Sequence, residues 1–365
     1  MLKHFGKEDE ILSKMLPHMQ LLRGIDPDRL AINEKVRSYT VSAPTEEWQF
    51  LHEAAVIEHK GLLYVAWYNN PERELNGRTP IRWSTSEDEG KTWTDPKVLA
   101  DDESAKILYC PPVFGVEDGK LYMFINEMVS ADHMHALDLY VLNEEKAEFE
   151  RLWSRPIPFK LNTNVYRLSN GKLMLPGRIA ELDGFPNTPA VLISDSGRIN
   201  AEWRLVHIAP DGALPDGAKY VHPELSAVID GETVWIFCRN DERKVPIVYV
   251  SKDNGETWSA PVAHDIPFSG SKIYSGTLSD GRNYVIGNLY PGRDRLAIFF
   301  SRVGEMQFDE GFLLQDGYSK ELGYGGPQWS YPVAHEWNGK LYVIYSAHRE
   351  EGNRRGAAIS VIPLQ

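Results

Sequence analysis

Apolar residues along this chain come in short runs that break at a glycine-containing turn and then resume. The pattern occurs six times, at Ala54–Trp67, Val113–Phe124, Val165–Leu175, Ser226–Phe237, Tyr274–Ile286 and Val333–Ile344. The turn glycines are Gly61, Gly119, Gly171, Gly231, Gly281 and Gly339, at spacings of 58, 52, 60, 50 and 58 residues. Asp-Gly or Asn-Gly between apolar runs is a strong β-hairpin signal, because these residues accept the positive φ of a tight turn. A hairpin that returns at a nearly fixed interval, with room for two further strands, predicts repeated four-stranded units. The fold class expected is therefore all-β: a six-bladed β-propeller of four-stranded antiparallel blades. A seventh blade stays open if the N-terminal region hides a degenerate unit. The whole chain, 1–365, reads as one propeller domain, with 1–28 as a helical extension and 29–365 as the propeller.

Two turns carry a tighter signature. Ser86, Asp88, Gly90, Thr92 and Trp93 recur in kind and spacing as Ser251, Asp253, Gly255, Thr257 and Trp258. The Asp carboxylate is suited to accept backbone N–H groups inside the turn, the Gly to supply a positive φ and the Trp to pack back on the sheet. Ser194–Gly197 with Trp203, and Ser301 with Phe308, read as eroded copies. The last unit leaves about one further strand, Ala357–Ile362. The fourth is expected from Arg37–Val41, which would place both ends of the chain in one blade and remove a free edge. Residues 7–22 read as a short amphipathic helix interrupted at Pro17, packing on the propeller or on a second copy of the chain, so that a homo-oligomer is open.

Composition narrows the function classes. The net charge is −13, from 39 Lys+Arg against 52 Asp+Glu, which disfavours nucleic acid and anionic membrane as partners. Aromatic residues reach 11 %, with 10 Trp and 17 Tyr, as suits a strand-rich protein that handles sugars. Two cysteines, Cys110 and Cys238, make no disulfide framework and fit a reducing compartment. The first ten residues are too polar for a secretory signal, so a cytoplasmic location is expected.

The repeat also says where chemistry belongs. In each unit the start of the inner strand and the end of its partner meet at one mouth. That mouth collects His52, Glu53 and Asn69 from unit one, and Asn164 and Arg178 from unit three. Unit four gives His222, Glu224 and Arg239, unit five gives Tyr274 and Asn288, and unit six gives Tyr331. Arg295 follows in the loop after Asn288. The opposite ends are ordinary turns. His52, Glu224, Tyr331 and Tyr274 are the catalytic candidates, as acid, base or nucleophile. Arg178, Arg239 and Arg295, with Glu53, Asn69, Asn164, His222 and Asn288, are the substrate-binding candidates, since converging guanidinium groups hold a carboxylate. Each arginine reads equally well as a salt bridge between blades. The Asp132, His133, His135 and Asp138 stretch has metal-ligand types but no third ligand set by spacing. No metal and no cofactor are expected, and the cysteines read as small buried residues.

The two Ser-x-Asp-x-Gly-x-Thr-Trp turns, the six units and the segment Ser330–Ser346 together resemble the Asp-box proteins of the sialidase superfamily over nearly the whole chain. The resemblance implies an exo-acting glycosidase that removes a terminal acidic sugar, sialic or uronic, from an oligosaccharide. It also implies that arginines such as Arg178, Arg239 and Arg295 hold the carboxylate, and that Tyr331 with Glu224 forms a nucleophilic pair. The Arg-Ile-Pro motif of that family is absent; the nearest sequence is Arg23-Gly-Ile-Asp-Pro27. The chain is similar as well to propellers that act on rhamnosyl-glucuronate, as rhamnosidases or uronate lyases. That likeness implies roles for His52, Tyr274 or Tyr331, and Arg239. A glycan-binding propeller without turnover is the third expectation.

Overall fold

All six hairpins form. The structure, a computed structural model, describes residues 6–131, 133–179, 187–317, 327–348 and 354–364. The six turn glycines all take positive φ, between 58° and 87°. This is the left-handed region that a side chain disfavours, which is why the hairpin signal was readable. Two compact units divide the chain, one of residues 1–33 and 165–318, the other of 34–164 and 319–365.

In the first unit, one sheet runs Tyr166–Arg167, Leu173–Ile179, Thr188–Ser194, Arg204–His207. The next runs Leu225–Asp230, Thr233–Cys238, Ile247–Ser251, Val262–His264, and the third Tyr274–Thr277, Arg282–Asn288, Arg295–Val303, Phe308–Asp316. The second unit holds Phe50–His59, Leu62–Asn70, Ile81–Ser86, Lys97–Ala100, and then Leu108–Glu117, Lys120–Ser130, His133–Asn143, Glu148–Arg155. Its last sheet takes Gln328–Trp337, Lys340–His348 and Gly356–Pro363, and adds Arg37–Ser42 from the other end of the chain. These antiparallel sheets are the blades of a six-bladed β-propeller. The strand expected from the N-terminal region is thus in place, paired from Arg37 with Val361 to Ser42 with Ala357. Inner strands such as Leu62–Asn70 are buried almost throughout, as strands covered on both faces must be.

The N-terminal segment corrects one expectation. The helix covers only Lys7–Met15. Pro17 cannot extend it and forces Leu16 into an extended conformation, at φ −92° and ψ 144°. His18–Met19 then runs parallel to Ala263–His264 as an extra edge strand. Leu12 and Leu16 are buried among Tyr166, Val191, Tyr220 and Tyr249. Each such leucine contributes roughly 1.5–3 kcal/mol of burial. Asp9 ties the helix down further: it accepts the backbone N–H of Gly6 at 2.8 Å and that of Lys244 at 2.9 Å.

The paired Ser-x-Asp turns lie between third and fourth strands of their blades. Asp88 Oδ1 accepts the N–H of Lys91 (3.1 Å) and of Thr92 (2.9 Å), while the Thr92 hydroxyl donates to Oδ2 at 2.7 Å. Trp93 Nε1 donates to the Gly90 carbonyl at 3.1 Å, and Trp258 repeats this with Gly255 at 3.1 Å. The N–H and hydroxyl of Thr92 lead in holding the Asp88 carboxyl at a pKa of about 2. These turns build blades and hold no candidate side chain.

Candidate functional site

The candidate residues fall into two clusters, one in each unit. In the first unit, Glu224 and Arg239 bracket the strands Leu225–Asp230 and Thr233–Cys238. The turn between those strands brings the two ends together, and the Arg239 N–H donates to the Glu224 carbonyl at 2.9 Å. Their side chains then pair: Arg239 Nη1 donates to Glu224 Oε2 at 2.6 Å. The rest of the guanidinium forks onto Asp241, with Nε to Oδ1 at 2.7 Å and Nη2 to Oδ2 at 2.6 Å. His222 Nδ1 stands 3.5 Å from Asp241 Oδ2. Lys272 and Arg178, both almost fully buried, act on Glu224 electrostatically. Burial alone pushes the Glu224 carboxyl up, but Arg239, Lys272 and Arg178 together outweigh it and hold it below the usual carboxylate range. Burial also pushes Asp241 up, and His222 and Arg239 reverse that. Gly270 is required beside this cluster, because a Cβ there would lie 2.7 Å from Asp241 Oδ1.

Tyr274 is buried and stacks on Tyr284, with ring centroids 6.2 Å apart. Asn288 is buried at the end of Arg282–Asn288, its Nδ2 3.5 Å from the Arg295 carbonyl. Arg295 donates from Nη2 to the Tyr290 carbonyl at 3.3 Å. Arg23, of the Arg-Gly-Ile-Asp-Pro sequence, is committed elsewhere, to Gln307 at 2.5 Å and Glu305 at 2.6 Å.

The second unit gathers aromatic rings instead. His52 is fully buried, and its Nδ1 is 2.6 Å from Ser346 Oγ. The Tyr331 ring lies 4.1 Å from the His52 ring, tilted by 51°, and Tyr68 meets it edge-on at 6.0 Å. Tyr331 sits in a β-bulge between Ser330 and Val333, and Glu53 in one between His52 and Ala55. Both take positive φ, 60° and 48°, as does His222 at 49° in the first unit. Left-handed backbone at a non-glycine residue costs about 1–3 kcal/mol, collects at functional sites, and here re-aims a side chain. Glu53 accepts a bond from Cys110 Sγ at 3.4 Å. Burial first, then Glu53, pushes the Cys110 thiol well up, which makes it a thiol and not a nucleophilic thiolate. Asn69 accepts from Trp67 Nε1 at 2.8 Å and donates to the Phe50 carbonyl at 3.2 Å, which locks the strand end. Asn164 is half-buried.

One group in the second unit was not foreseen. Arg151, on the outer strand Glu148–Arg155, reaches Glu127 at 3.1 Å and the fully buried Asp138 at 3.3 Å. Burial, then the charge and hydrogen bond of Asp138, push Glu127 up. Alternation along His133–Asn143 places Asp138 and Tyr140 on one face, and the Tyr140 hydroxyl donates to Asp138 at 3.3 Å. That face was readable in the sequence, but the reach of Arg151 was not. His133 and His135 are exposed, and Asp132 lies outside the described residues. Among the described residues no group of three or more His, Cys, Asp or Glu is placed to hold a metal. No helix among them is long and apolar enough to cross a membrane.

Comparison with solved structures agrees on the propeller. A protein of unknown function from Dyadobacter fermentans superposes with a TM-score of 0.71 at 15 % identity, over 91 % of this chain and 100 % of that one. Trypanosoma rangeli sialidase in complex with sialic acid gives 0.64 at 14 % identity, over 92 % of this chain and 60 % of that one. Penicillium chrysogenum α-L-arabinanase complexed with arabinobiose gives 0.59 at 14 %, over 90 % and 98 %. No curated protein matches the sequence. Residues 61–343 match the BNR repeat-like domain family, and the chain belongs to that family.

Proposed function

We propose that this protein is an exo-acting glycoside hydrolase that removes a terminal acidic sugar, sialic or uronic, from an oligosaccharide. The observation that carries the reading is the buried cluster of Arg239, Lys272 and Arg178 around Glu224 and Asp241. Burying cations is costly unless anions meet them. Guanidinium and ammonium groups gathered in one place suit a substrate carboxylate, in a protein whose net charge of −13 would otherwise repel one. Glu224, held ionised, serves as a carboxylate that steadies positive charge developing on the sugar ring. The sialidase and arabinanase superpositions support sugar chemistry on such a fold by analogy.

The second unit favours another reading, β-elimination at a uronate, through its His52–Tyr331 pair, whose rings are 4.1 Å apart. There a base removes the C5 proton, an acid protonates the leaving oxygen, and no water is consumed. Mass spectrometry with ultraviolet absorbance on sialylated, uronate-capped and rhamnosyl-glucuronate oligosaccharides separates the readings. A released sugar carrying one added water, without a chromophore, supports hydrolysis. An unsaturated uronate with new absorbance supports the lyase. No product, with binding retained, leaves a glycan-binding propeller and overturns both.

A further inference from the structure

A cavity of about 480 Å³ opens in the first unit, between the segment Ser13–Asp28 and residues of two blades. This is the size of ordinary small-molecule sites, about 300–1,000 Å³. A smaller cavity of about 140 Å³ adjoins it, sharing Lys244, Val245, Phe268 and Tyr290. The smaller one is also lined by Arg239 and Asp241. The charged cluster and the space under the N-terminal segment thus border adjoining cavities.

The polar groups of the larger cavity mix donors, His264, Lys244 and Arg295, with the carboxylates Asp26, Asp28 and Asp265. His264 is 4 % exposed. Its Nδ1 accepts the Ile266 N–H at 3.3 Å, which places the ring proton on Nε2, and Nε2 has no hydrogen-bond partner among the described residues. Arg295 spends one N–H on the Tyr290 carbonyl, and Lys244 Nζ sits 5.6 Å from the centre of the Tyr290 ring. The buried acceptor, Asp265, is already used: its Oδ1 takes the N–H groups of Leu21 (2.7 Å) and Leu22 (3.1 Å), pinning the segment that roofs the cavity. The remaining wall is apolar, with Leu22, Ile25 and Phe268. Such a site suits a ligand with an apolar face and several oxygens that both accept and donate hydrogen bonds. A pyranose ring has both, in its C–H face and its hydroxyls.

We propose that the larger cavity is a subsite for the sugars beyond the one bound at Arg239, so that the substrate is an acidic sugar on a neutral saccharide and not on a small aglycone. The inference rests on the reading of the charged cluster given above. The distal sugars lie against Phe268 and Tyr290, with a hydroxyl accepting from His264 Nε2. The segment Ser13–Asp28 then acts as a selectivity wall supplied from outside the blades.

The test compares KM and kcat for 4-methylumbelliferyl glycosides of sialic and glucuronic acid with those for the same sugars on lactose and on rhamnobiose. The wild type is expected to show the lower KM on the oligosaccharides. Ile25→Trp, which fills the cavity, is expected to raise KM on them about tenfold, equivalent to about 1.4 kcal/mol of binding, with both constants unchanged on the aryl glycosides. His264→Phe, which removes the donor but keeps an apolar ring, is the second variant, and thermal melts check that each is folded. Equal effects on both substrate classes, or none on either, overturn the subsite while leaving the hydrolase standing. Absence of turnover by the wild type on every substrate overturns the underlying reading, and the subsite with it.

Discussion

The cluster of the first unit and that of the second occupy corresponding places in their blades, yet they are built on opposite principles. Around Glu224 charges dominate: Arg239 spans two carboxylates, and Lys272 and Arg178 add to the field. Around His52 aromatic rings gather, with a hydrogen bond to Ser346. Both use left-handed backbone near the start of an inner strand, at His222 in one and at Glu53 and Tyr331 in the other. The repeat thus duplicates a backbone device that turns a side chain out of the pleat, and leaves its chemistry free to vary. The charged cluster is expected to govern recognition and stability together. The aromatic cluster can lose chemistry without losing the fold.

That contrast can be broken most directly at Arg239. Arg239→Ala leaves Glu224 and Asp241 buried without their main partner and is expected to cost about 3–5 kcal/mol in urea unfolding, along with turnover of carboxylated substrates. A loss below about 1 kcal/mol would show that the cluster is not charge-locked. Tyr331→Phe tests the other side. It should cost no more than about 1 kcal/mol of stability but lower turnover about 100-fold or more. Unchanged kinetics would make the His52–Tyr331 stack a packing feature.

Acidity sharpens the comparison within the first unit. Burial holds His264 neutral down to about pH 3, whereas an exposed histidine protonates near 6.5. The unfolded chain therefore binds a proton that the folded chain refuses. The His264 contribution is complete above about pH 6.5 and is lost progressively as the pH falls toward 3. His264→Phe is expected to flatten the slope of stability against pH in that window, as read from urea midpoints. The smallest effect is expected at Asp88. Its folded pKa of about 2 is depressed, so its contribution is present above about 4 and lost as pH falls through 2. Asp88→Asn should weaken stability above pH 4, erase that acid limb and leave turnover unchanged, since the turn builds a blade and holds no substrate. A change in kcat would contradict that separation.

Local chemistry written in the chain accounts for most of the architecture. Asp-Gly and Asn-Gly turns, alternating apolar runs and two Ser-x-Asp-x-Gly-x-Thr-Trp turns each act over fewer than a dozen residues. Hence the six hairpins, the pairing of Arg37–Ser42 with Gly356–Pro363 and the stop of the helix near Pro17 could be anticipated from sequence, though the helix was drawn too long. His18–Met19 was missed because a two-residue parallel pairing with Ala263–His264 leaves no local pattern. The charge balance around Glu224 also needed the folded chain. Arg178, Glu224, Arg239 and Lys272 lie on separate strands and loops, and whether a guanidinium meets one carboxylate or two depends on side-chain reach, as Asp241 shows. Arg151 and the His264 cavity are of the same kind. Sequence determined which backbone hydrogen bonds form, because turn and strand preferences are local. Tertiary structure decided which buried charges meet, because desolvation and Coulomb forces act between residues that only folding brings together.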